Sequence, residues 1–293
     1  MMNRVIGLIS VFFLKLTSYL PFFVIYRIAD LLYFVFRYII RYRSKVIDRN
    51  LLNSFPEMTD LERTKIKRRF YRHLADITIE SLKVDSISTK SMVKHMNFTN
   101  LELLNTPEYS GKSVVCVMAH YGNWEWFAIL NKITSLQAAA IYRPQHNATL
   151  DEFMYKMRTR WGSKQYPMKS SFRDLIVLGQ TTKWIVGVLS DQTPAGDRVQ
   201  YRTQFLNQNT AVHVGAEKIA QKLKTSVVYA WVEKPKRGYY EVTLLPMFSN
   251  GEATAENEIT EAITKLIEKQ VIHRPDLWLW SHNRWKRNYE SHS

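Results

Sequence analysis

The hydrophobic and polar positions divide the chain into three stretches of different character. From Val5 to Tyr26 the only charge is Lys15, and Pro21 interrupts the apolar run. Polar and apolar positions then recur at helical spacing up to about residue 105. After Gly111 short apolar runs such as SVVCVM, TKWIVGVLS and SVVYAWV alternate with helical stretches. This alternation predicts an α/β fold with a central, mostly parallel or mixed sheet flanked by helices.

The apolar amino terminus predicts a hydrophobic or amphipathic helical membrane anchor. Val5 to Leu20 is shorter than the ~20 apolar residues that span a bilayer. Beyond Pro21, five charged residues fall within roughly 80° of one another on a helical projection; they are Arg27, Asp30, Arg37, Arg41 and Lys45. This stripe predicts a helix that lies in the membrane interface. The alternatives are one spanning helix kinked at Pro21, with the body in the cytoplasm, and a buried pair of core helices.

These patterns suggest two units. Residues 1–45 form the anchor, and residues 46–293 form the α/β domain, in which residues 46–105 are a helical lead-in. Within the lead-in, Thr59 followed three residues later by Glu62 predicts a capping box at a helix start. The basic run after it, between Lys65 and Arg72, is either a solvated helix face or a docking surface near a membrane.

Charge and cysteine content narrow the function classes. The net charge of +15 indicates an anionic partner, which could be nucleic acid, anionic lipid or an acidic carrier protein. Nucleic acid is the weaker explanation, since no nucleic-acid-binding motif is visible and the amino terminus is apolar. The single cysteine, Cys116, cannot form an internal disulfide and favours a reducing, cytosol-facing location. Because Cys116 lies inside an apolar strand, it is a poor nucleophile.

The stretch AHYGNWEW, with His120 and Glu125, carries the clearest chemistry. His120 follows a buried strand, and reactive groups collect at the carboxyl ends of strands in open α/β sheets. A turn at Tyr121-Gly122-Asn123 would bring Glu125, at the start of the helical stretch EWFAILNKI, to the imidazole. A carboxylate on one ring nitrogen makes the other a better general base. The spacing does not suit a metal site, and on spacing alone a structural role for His120 remains open.

The same stretch resembles the H-x4-D/E motif of the glycerolipid acyltransferase superfamily, in the form found in lipid A biosynthesis acyltransferases of the late lauroyl and myristoyl type. Other stretches resemble this family in the same order along nearly the whole chain; they are YRSKVIDRNLLNSFPE, IYRPQHN, RTRWG, SDQTP and LWSHNRWK. The loop FPEGTR of the glycerol-phosphate acylating branch is absent, and Glu125 stands where the broader superfamily has Asp.

The resemblance implies acyl transfer from an acyl thioester, on acyl carrier protein or coenzyme A, to a hydroxyl of a phosphorylated glycolipid such as a lipid A precursor. His120 would take the hydroxyl proton and Glu125 would orient His120, with no metal, cofactor or covalent enzyme intermediate. Five further residues in the matching motifs are expected to bind substrate; they are Arg143, Arg158, Arg160, Asp191 and Gln192. We expect at least one of the three arginines to be an ordinary surface residue.

The implied location is the cytoplasmic face of the bacterial inner membrane. Two alternatives stay open. One is O-acylation of another polar lipid, such as a phosphatidylinositol mannoside. The other is a membrane-bound scaffold without catalytic activity, against which the intact His120 and Glu125 argue.

Overall fold

A seven-stranded sheet flanked by helices forms the centre of the molecule. The structure, a computed structural model, describes residues 2–145, 147–194 and 199–286, the first four of them as backbone only. Its strands are β1 Met96–Phe98, β2 Val114–Met118, β3 Gln137–Tyr142, β4 Lys164–Pro167, β5 Trp184–Leu189, β6 Tyr201–Phe205, β7 Gln208–Val212, β8 Ser226–Lys236 and β9 Tyr239–Phe248. Its helices are α1 Met2–Tyr19, α2 Phe22–Phe34, α3 Ser44–Ser54, α4 Asp60–Glu80, α5 Thr89–His95, α6 Leu130–Ile133, α7 Ala148–Thr159, α8 Ser171–Thr181, α9 Gly215–Lys222 and α10 Glu258–His273.

The strand order is β1-β9-β8-β2-β5-β3-β4, and β6 and β7 form a separate hairpin. Within the described residues, β8 and β9 make the one antiparallel pair of the large sheet, while its other neighbours run parallel. The prediction of a mostly parallel sheet flanked by helices is confirmed. The sequence pattern missed the short strands β1 and β4 and the hairpin, which have few apolar positions each.

The strand β2 lies in the middle of this sheet. All five of its residues are buried, as expected for a strand covered by helices on both faces. It pairs in parallel with β5 and β8, and its last residue, Met118, is in register with Leu189 at the end of β5. Polar residues that follow Met118 and Leu189 therefore emerge side by side at the carboxyl edge of the sheet.

The prediction of one continuous amphipathic helix from Pro21 to Lys45 is wrong at its C-terminal end. The helix α2 ends at Phe34 and continues as a single π-helical segment, Val35–Ile39. Arg41 then has a left-handed backbone, with φ of 48°, and a new helix begins at Ser44. Arg41 and Lys45 consequently do not extend the stripe that begins at Arg27. The periodicity could not reveal this break, because nothing in YIIRYRSK marks it as a glycine or proline would.

The helices α1 and α2 present an apolar surface. Large apolar side chains on both helices are more than half exposed; they include Leu8, Phe12, Leu16, Phe23 and Leu31. The opposite side of α2 packs against α4, with Ile25 and Ala29 fully buried. No helix in the described part of the chain is both long and apolar enough to cross a membrane.

The helix α4 begins as the sequence predicts. Thr59 caps it, and the capping box with Glu62 is complete in both directions. Its buried face carries an unexpected polar stripe at helical spacing, formed by His73, Asp76 and Glu80. Such buried polar groups require hydrogen-bond partners, and the loop after β2 supplies some of them.

Candidate active site

His120 and Asp191 meet at the carboxyl edge of the sheet. Each follows the end of its strand by two residues, His120 after β2 and Asp191 after β5, and the two strands are neighbours in register. The distance from Nδ1 of His120 to Oδ1 of Asp191 is 2.8 Å. The Asp191 carboxylate is 2% exposed and the His120 ring 16% exposed, so one edge of the imidazole remains accessible.

The environment of Asp191 keeps its carboxylate ionised. Burial alone raises the pKa of Asp191. His120 opposes this through charge attraction and a hydrogen bond, and Trp278 opposes it through a second hydrogen bond. Together they outweigh burial and lower the pKa to about 2. The Trp278 Nε1–H donates to Oδ2 at 2.8 Å. Because an ionised carboxylate can only accept, the proton between Asp191 and His120 lies on Nδ1 of the ring.

The second ring nitrogen of His120 faces the side-chain amide of Gln192. Nε2 lies 3.2 Å from the amide nitrogen of Gln192, so it accepts a hydrogen bond there. With the proton on Nδ1, Nε2 carries the free lone pair of a neutral imidazole. The ring of Trp124 meets the imidazole edge-on, with 5.0 Å between ring centroids. The arrangement is that of an oriented general base.

The turn after His120 forms where the sequence predicts it, at Tyr121-Gly122-Asn123. Gly122 has φ of 62°, a left-handed conformation that glycine adopts without strain. A Cβ at this position would lie 2.8 Å from Val232 on β8, so the close packing also requires glycine. The helix expected from EWFAILNKI starts instead as a 3-10 helix, Trp124–Ile129, before α6.

Glu125 does not contact His120 through this turn; it pairs with Arg158. The two side chains form a bidentate ion pair, with Nε to Oε2 at 2.7 Å and Nη2 to Oε1 at 2.5 Å. Both are largely buried, at 12% and 21% exposure. Burial lowers the pKa of Arg158, but the Glu125 carboxylate more than offsets this, so the guanidinium stays charged. The expectation that Glu125 orients His120 is therefore corrected: Asp191 is the carboxylate on Nδ1.

The remaining expected substrate residues are in different surroundings. Asp191 and Gln192 both contact His120, as described above. Arg160 donates from Nη1 to the backbone carbonyls of Val84 and Ile87, which indicates a structural role. Arg143 is exposed in the loop after β3. Cys116 is buried and its pKa is raised to about 12, which agrees with the expectation that it is no nucleophile.

The sequence did not reveal Glu80, which holds the loop after His120. Its carboxylate accepts from Nδ2 of Asn123 at 3.1 Å, from the hydroxyl of Tyr240 at 2.7 Å and from the hydroxyl of Tyr26 at 3.0 Å. The backbone carbonyl of Glu80 accepts from Nε1 of Trp126 at 2.8 Å. A single fully buried side chain thus joins α2, α4, β9 and the loop after β2.

The neighbouring members of the α4 stripe are also paired. Asp76 accepts from Lys234 at 3.3 Å and from Arg237 at 2.6 Å, and Arg237 also binds Asp30 on α2 at 2.8 Å. His73 lies 3.2 Å from the Lys234 ammonium, and burial lowers the pKa of this histidine well below its usual value. The only sequence signal for this network was a polar residue at every third or fourth position of an apolar helix face.

The fold and this site define the class of protein: an α/β protein with a carboxylate-oriented histidine at the carboxyl edge of a mostly parallel sheet. The model of the family described as bacterial lipid A biosynthesis acyltransferase matches residues 1–287. The chain belongs to this family and is an acyltransferase of lipid A synthesis.

Curated relatives carry matching names at low identity. The chain is 21% identical to a lipid A biosynthesis acyltransferase of Haemophilus influenzae over 277 residues, which cover 93% of this chain and 85% of the relative. It is 22% identical to a lipid A biosynthesis palmitoleoyltransferase of Escherichia coli over 248 residues, covering 83% and 79% of the two chains.

Proposed function

We propose that the protein transfers a fatty acyl chain from an acyl thioester, on acyl carrier protein or coenzyme A, to a hydroxyl of a phosphorylated lipid A precursor. The contact between His120 and Asp191 carries this proposal, because it leaves Nε2 as an oriented base at the edge of the sheet. The family of the chain supplies the reaction class. No metal or cofactor takes part in the proposed chemistry.

In the proposed reaction, the acceptor hydroxyl replaces the Gln192 amide at Nε2 of His120. His120 removes the hydroxyl proton as the oxygen attacks the thioester carbonyl, so a C–O bond forms. The C–S bond then breaks, and the leaving thiolate takes the proton from the imidazolium. The ionised Asp191 stabilises the imidazolium between these two steps, and Trp278 fixes the carboxylate.

In this proposal Glu125 orients Arg158 instead of His120. By engaging two of the five N–H donors of Arg158, it fixes the plane of the guanidinium. The other donors of Arg158 can then bind the developing oxyanion or an anionic group of the substrate without reorganisation. Glu125 is therefore a positioning residue that acts through Arg158. Arg143, which is exposed, is a further candidate for contact with the anionic acceptor.

The location we propose is the cytoplasmic face of the bacterial inner membrane. Many large apolar side chains of α1 and α2 are more than half exposed, and clusters of exposed apolar side chains are typical of interaction sites. Immersion of this surface in the interface would bring the enzyme to its lipid acceptor.

The direct test is acyl transfer by the purified full-length protein. A lipid A precursor is incubated with acyl carrier protein thioester, and the product is detected by mass spectrometry as a gain of one acyl chain. The His120→Ala variant should be inactive, whereas the His273→Ala variant should match the parent, since His273 is exposed, pairs with Glu233 and makes no contact with His120 in the described structure. A parent without transfer, or an active His120→Ala variant, contradicts the proposal.

A further inference from the structure

An open cleft of about 420 Å³ lies between the start of α3 and the C-terminal segment. Its lining residues are Arg43, Val46, His282, Asn283 and Lys286. Four of these five side chains carry N–H donors, and no carboxylate of the described chain is among the lining residues. The cleft also borders the amino terminus of α3, where helix N–H groups add partial positive charge. This composition suits an anion with several acceptor oxygens.

Neighbouring groups hold the donors of the cleft in place. Arg43 donates from Nη1 to the backbone carbonyl of Ser281 at 3.0 Å, which leaves its other N–H groups for a ligand. The Oδ1 atom of Asn283 accepts from Arg49 at 2.8 Å, so the amide NH₂ of Asn283 is the group left for a ligand. His282 accepts at Nε2 from the backbone N–H of Thr193 at 3.2 Å, and its proton is therefore on Nδ1.

The cleft is connected to the catalytic edge by a short chain of contacts. His282 binds Thr193, and Thr193 follows Gln192, whose amide lies at Nε2 of His120. A ligand in the cleft would therefore contact His282, which is connected through Thr193 and Gln192 to the proposed base. Arg158 uses two of its donors on Glu125, and Arg160 donates to backbone carbonyls.

We infer that this cleft binds a phosphate ester of one of the two substrates, with Arg43 and Lys286 as the charged contacts. The inference rests on the proposed acyl transfer and adds a binding subsite to it. The phosphate belongs either to the glycolipid acceptor or to the phosphopantetheine arm of the thioester donor. Both offer phosphate oxygens that the N–H donors of the cleft can bind.

The test compares the parent with Arg43→Asn, Lys286→Ala and the double variant in the full-length protein. Asparagine is chosen at position 43 because the backbone there is left-handed, with φ of 50°, and asparagine tolerates this conformation. Lys222→Ala on α9 is the matched control, since it removes one exposed positive charge outside the cleft. Arg43→Lys should restore part of the loss, because the charge returns without the planar fork.

Each protein is assayed with four substrate combinations. The acceptor is the phosphorylated glycolipid or the same lipid after phosphatase treatment. The donor is an acyl-4′-phosphopantetheine thioester or the acyl-pantetheine thioester that lacks the phosphate. We expect the double variant to raise the KM for one phosphorylated substrate by about 10- to 100-fold, with kcat little changed. The control should match the parent throughout.

The pattern of the loss identifies the source of the phosphate. A loss that vanishes with the dephosphorylated acceptor assigns the cleft to the glycolipid, and a loss that vanishes with acyl-pantetheine assigns it to the donor. The inference is overturned if the double variant matches the parent with every combination, or if its loss persists when neither substrate carries the phosphate.

A binding measurement separates this inference from the proposed reaction. The cleft variants are placed in a His120→Ala background, and the affinity for the phosphorylated glycolipid and for the phosphopantetheine thioester is measured by calorimetry in detergent. Weakening by about tenfold or more for one of them supports the subsite even if the parent proves inactive in acyl transfer. Unchanged affinity for both overturns it.

Discussion

The Nδ1 atom of His120 donates to a carboxylate 71 residues further along the chain, that of Asp191, rather than to the carboxylate five residues away. The parallel pairing of β2 with β5 makes this contact, since both residues follow the ends of neighbouring strands. The tautomer of His120, and with it the free lone pair on Nε2, is thus set by the sheet and not by the local motif.

The first prediction concerns this contact. Asp191→Asn should lower kcat by on the order of 10²–10⁴-fold, because the amide can no longer enforce the proton on Nδ1 or stabilise the imidazolium. The loss in the double variant with His120→Ala should not exceed that of His120→Ala alone, since the two act as a unit. Steady-state kinetics of the three variants checks this. Additive losses would show that Asp191 acts independently of His120.

The second prediction concerns Glu125 and Arg158. Removing either partner should destabilise the fold by about 1.5–3 kcal/mol, because a largely buried charge loses its charge-assisted hydrogen bonds. Arg158→Lys should keep part of the stability but lose a larger fraction of the activity, since lysine cannot form the bidentate contact. Denaturant unfolding of the single and double variants gives the coupling energy. A coupling energy near zero would contradict the importance of this ion pair.

The third prediction concerns Glu80. Glu80→Ala leaves the side chains of Asn123, Tyr240 and Tyr26 without their common acceptor, so we expect a loss of about 3 kcal/mol or more in the free energy of unfolding. The exposed Glu57→Ala is the control and should stay within about 0.5 kcal/mol of the parent. Thermal or denaturant unfolding measures both. Equal stability of the two variants would refute the proposed role of Glu80 as the link.

The fourth prediction concerns the apolar surface of α1 and α2. Phe12→Glu and Phe23→Glu change side chains that are 64% and 73% exposed, so folding should be little affected while partition into membranes falls severalfold. Leu61→Glu on α4, at 64% exposure, is the matched control. Sedimentation with anionic liposomes compares them. If all three variants pellet like the parent, the membrane contact lies elsewhere on the protein.

The fifth prediction concerns acid stability. Burial lowers the pKa of His282 to about 4, whereas an unfolded histidine titrates near its ordinary value of 6.5. The unfolded state therefore takes up the proton first, and stability present above pH 6.5 is lost as the pH falls towards 4. His282→Gln, which keeps an acceptor for Thr193, should reduce the difference in unfolding free energy between pH 7.5 and pH 5. An unchanged difference would exclude His282 as a contributor.

The sequence predicts the strands that frame the site because they are long apolar runs. Residues after these strands, such as His120, Asp191 and Gln192, could also be selected as candidates by their position at strand ends. What local pattern cannot show is which strand ends are neighbours, since strand order is a long-range property of the sheet. For this reason Glu125, close in sequence, was expected at His120, while the distant Asp191 has that contact.

The same limit explains the residues that were missed. Glu80 and Asp76 lie on a helix whose pattern is that of an ordinary amphipathic helix, and each has a partner more than 150 residues later, Tyr240 on β9 and Lys234 on β8. The two cations of the cleft, Arg43 and Lys286, come from opposite ends of the chain. Both lie in stretches that resemble the family, yet nothing local distinguishes them from other surface cations.

The Glu80 carboxylate accepts hydrogen bonds both from the hydroxyl of Tyr26 on α2 and from Asn123, which lies three residues beyond His120. In the second link between α2 and the body, Arg237 bridges Asp30 and Asp76. The N-terminal helices are therefore part of the folded enzyme, because α2 shares hydrogen bonds and ion pairs with the residues that support the site. If an unrelated membrane-targeting helix replaced α1 and α2, it could restore the location of the protein but not these contacts. A substitution at Tyr26 or Asp30 on α2 would therefore change the support of the loop after His120 or of α4 as well as the N-terminal helices.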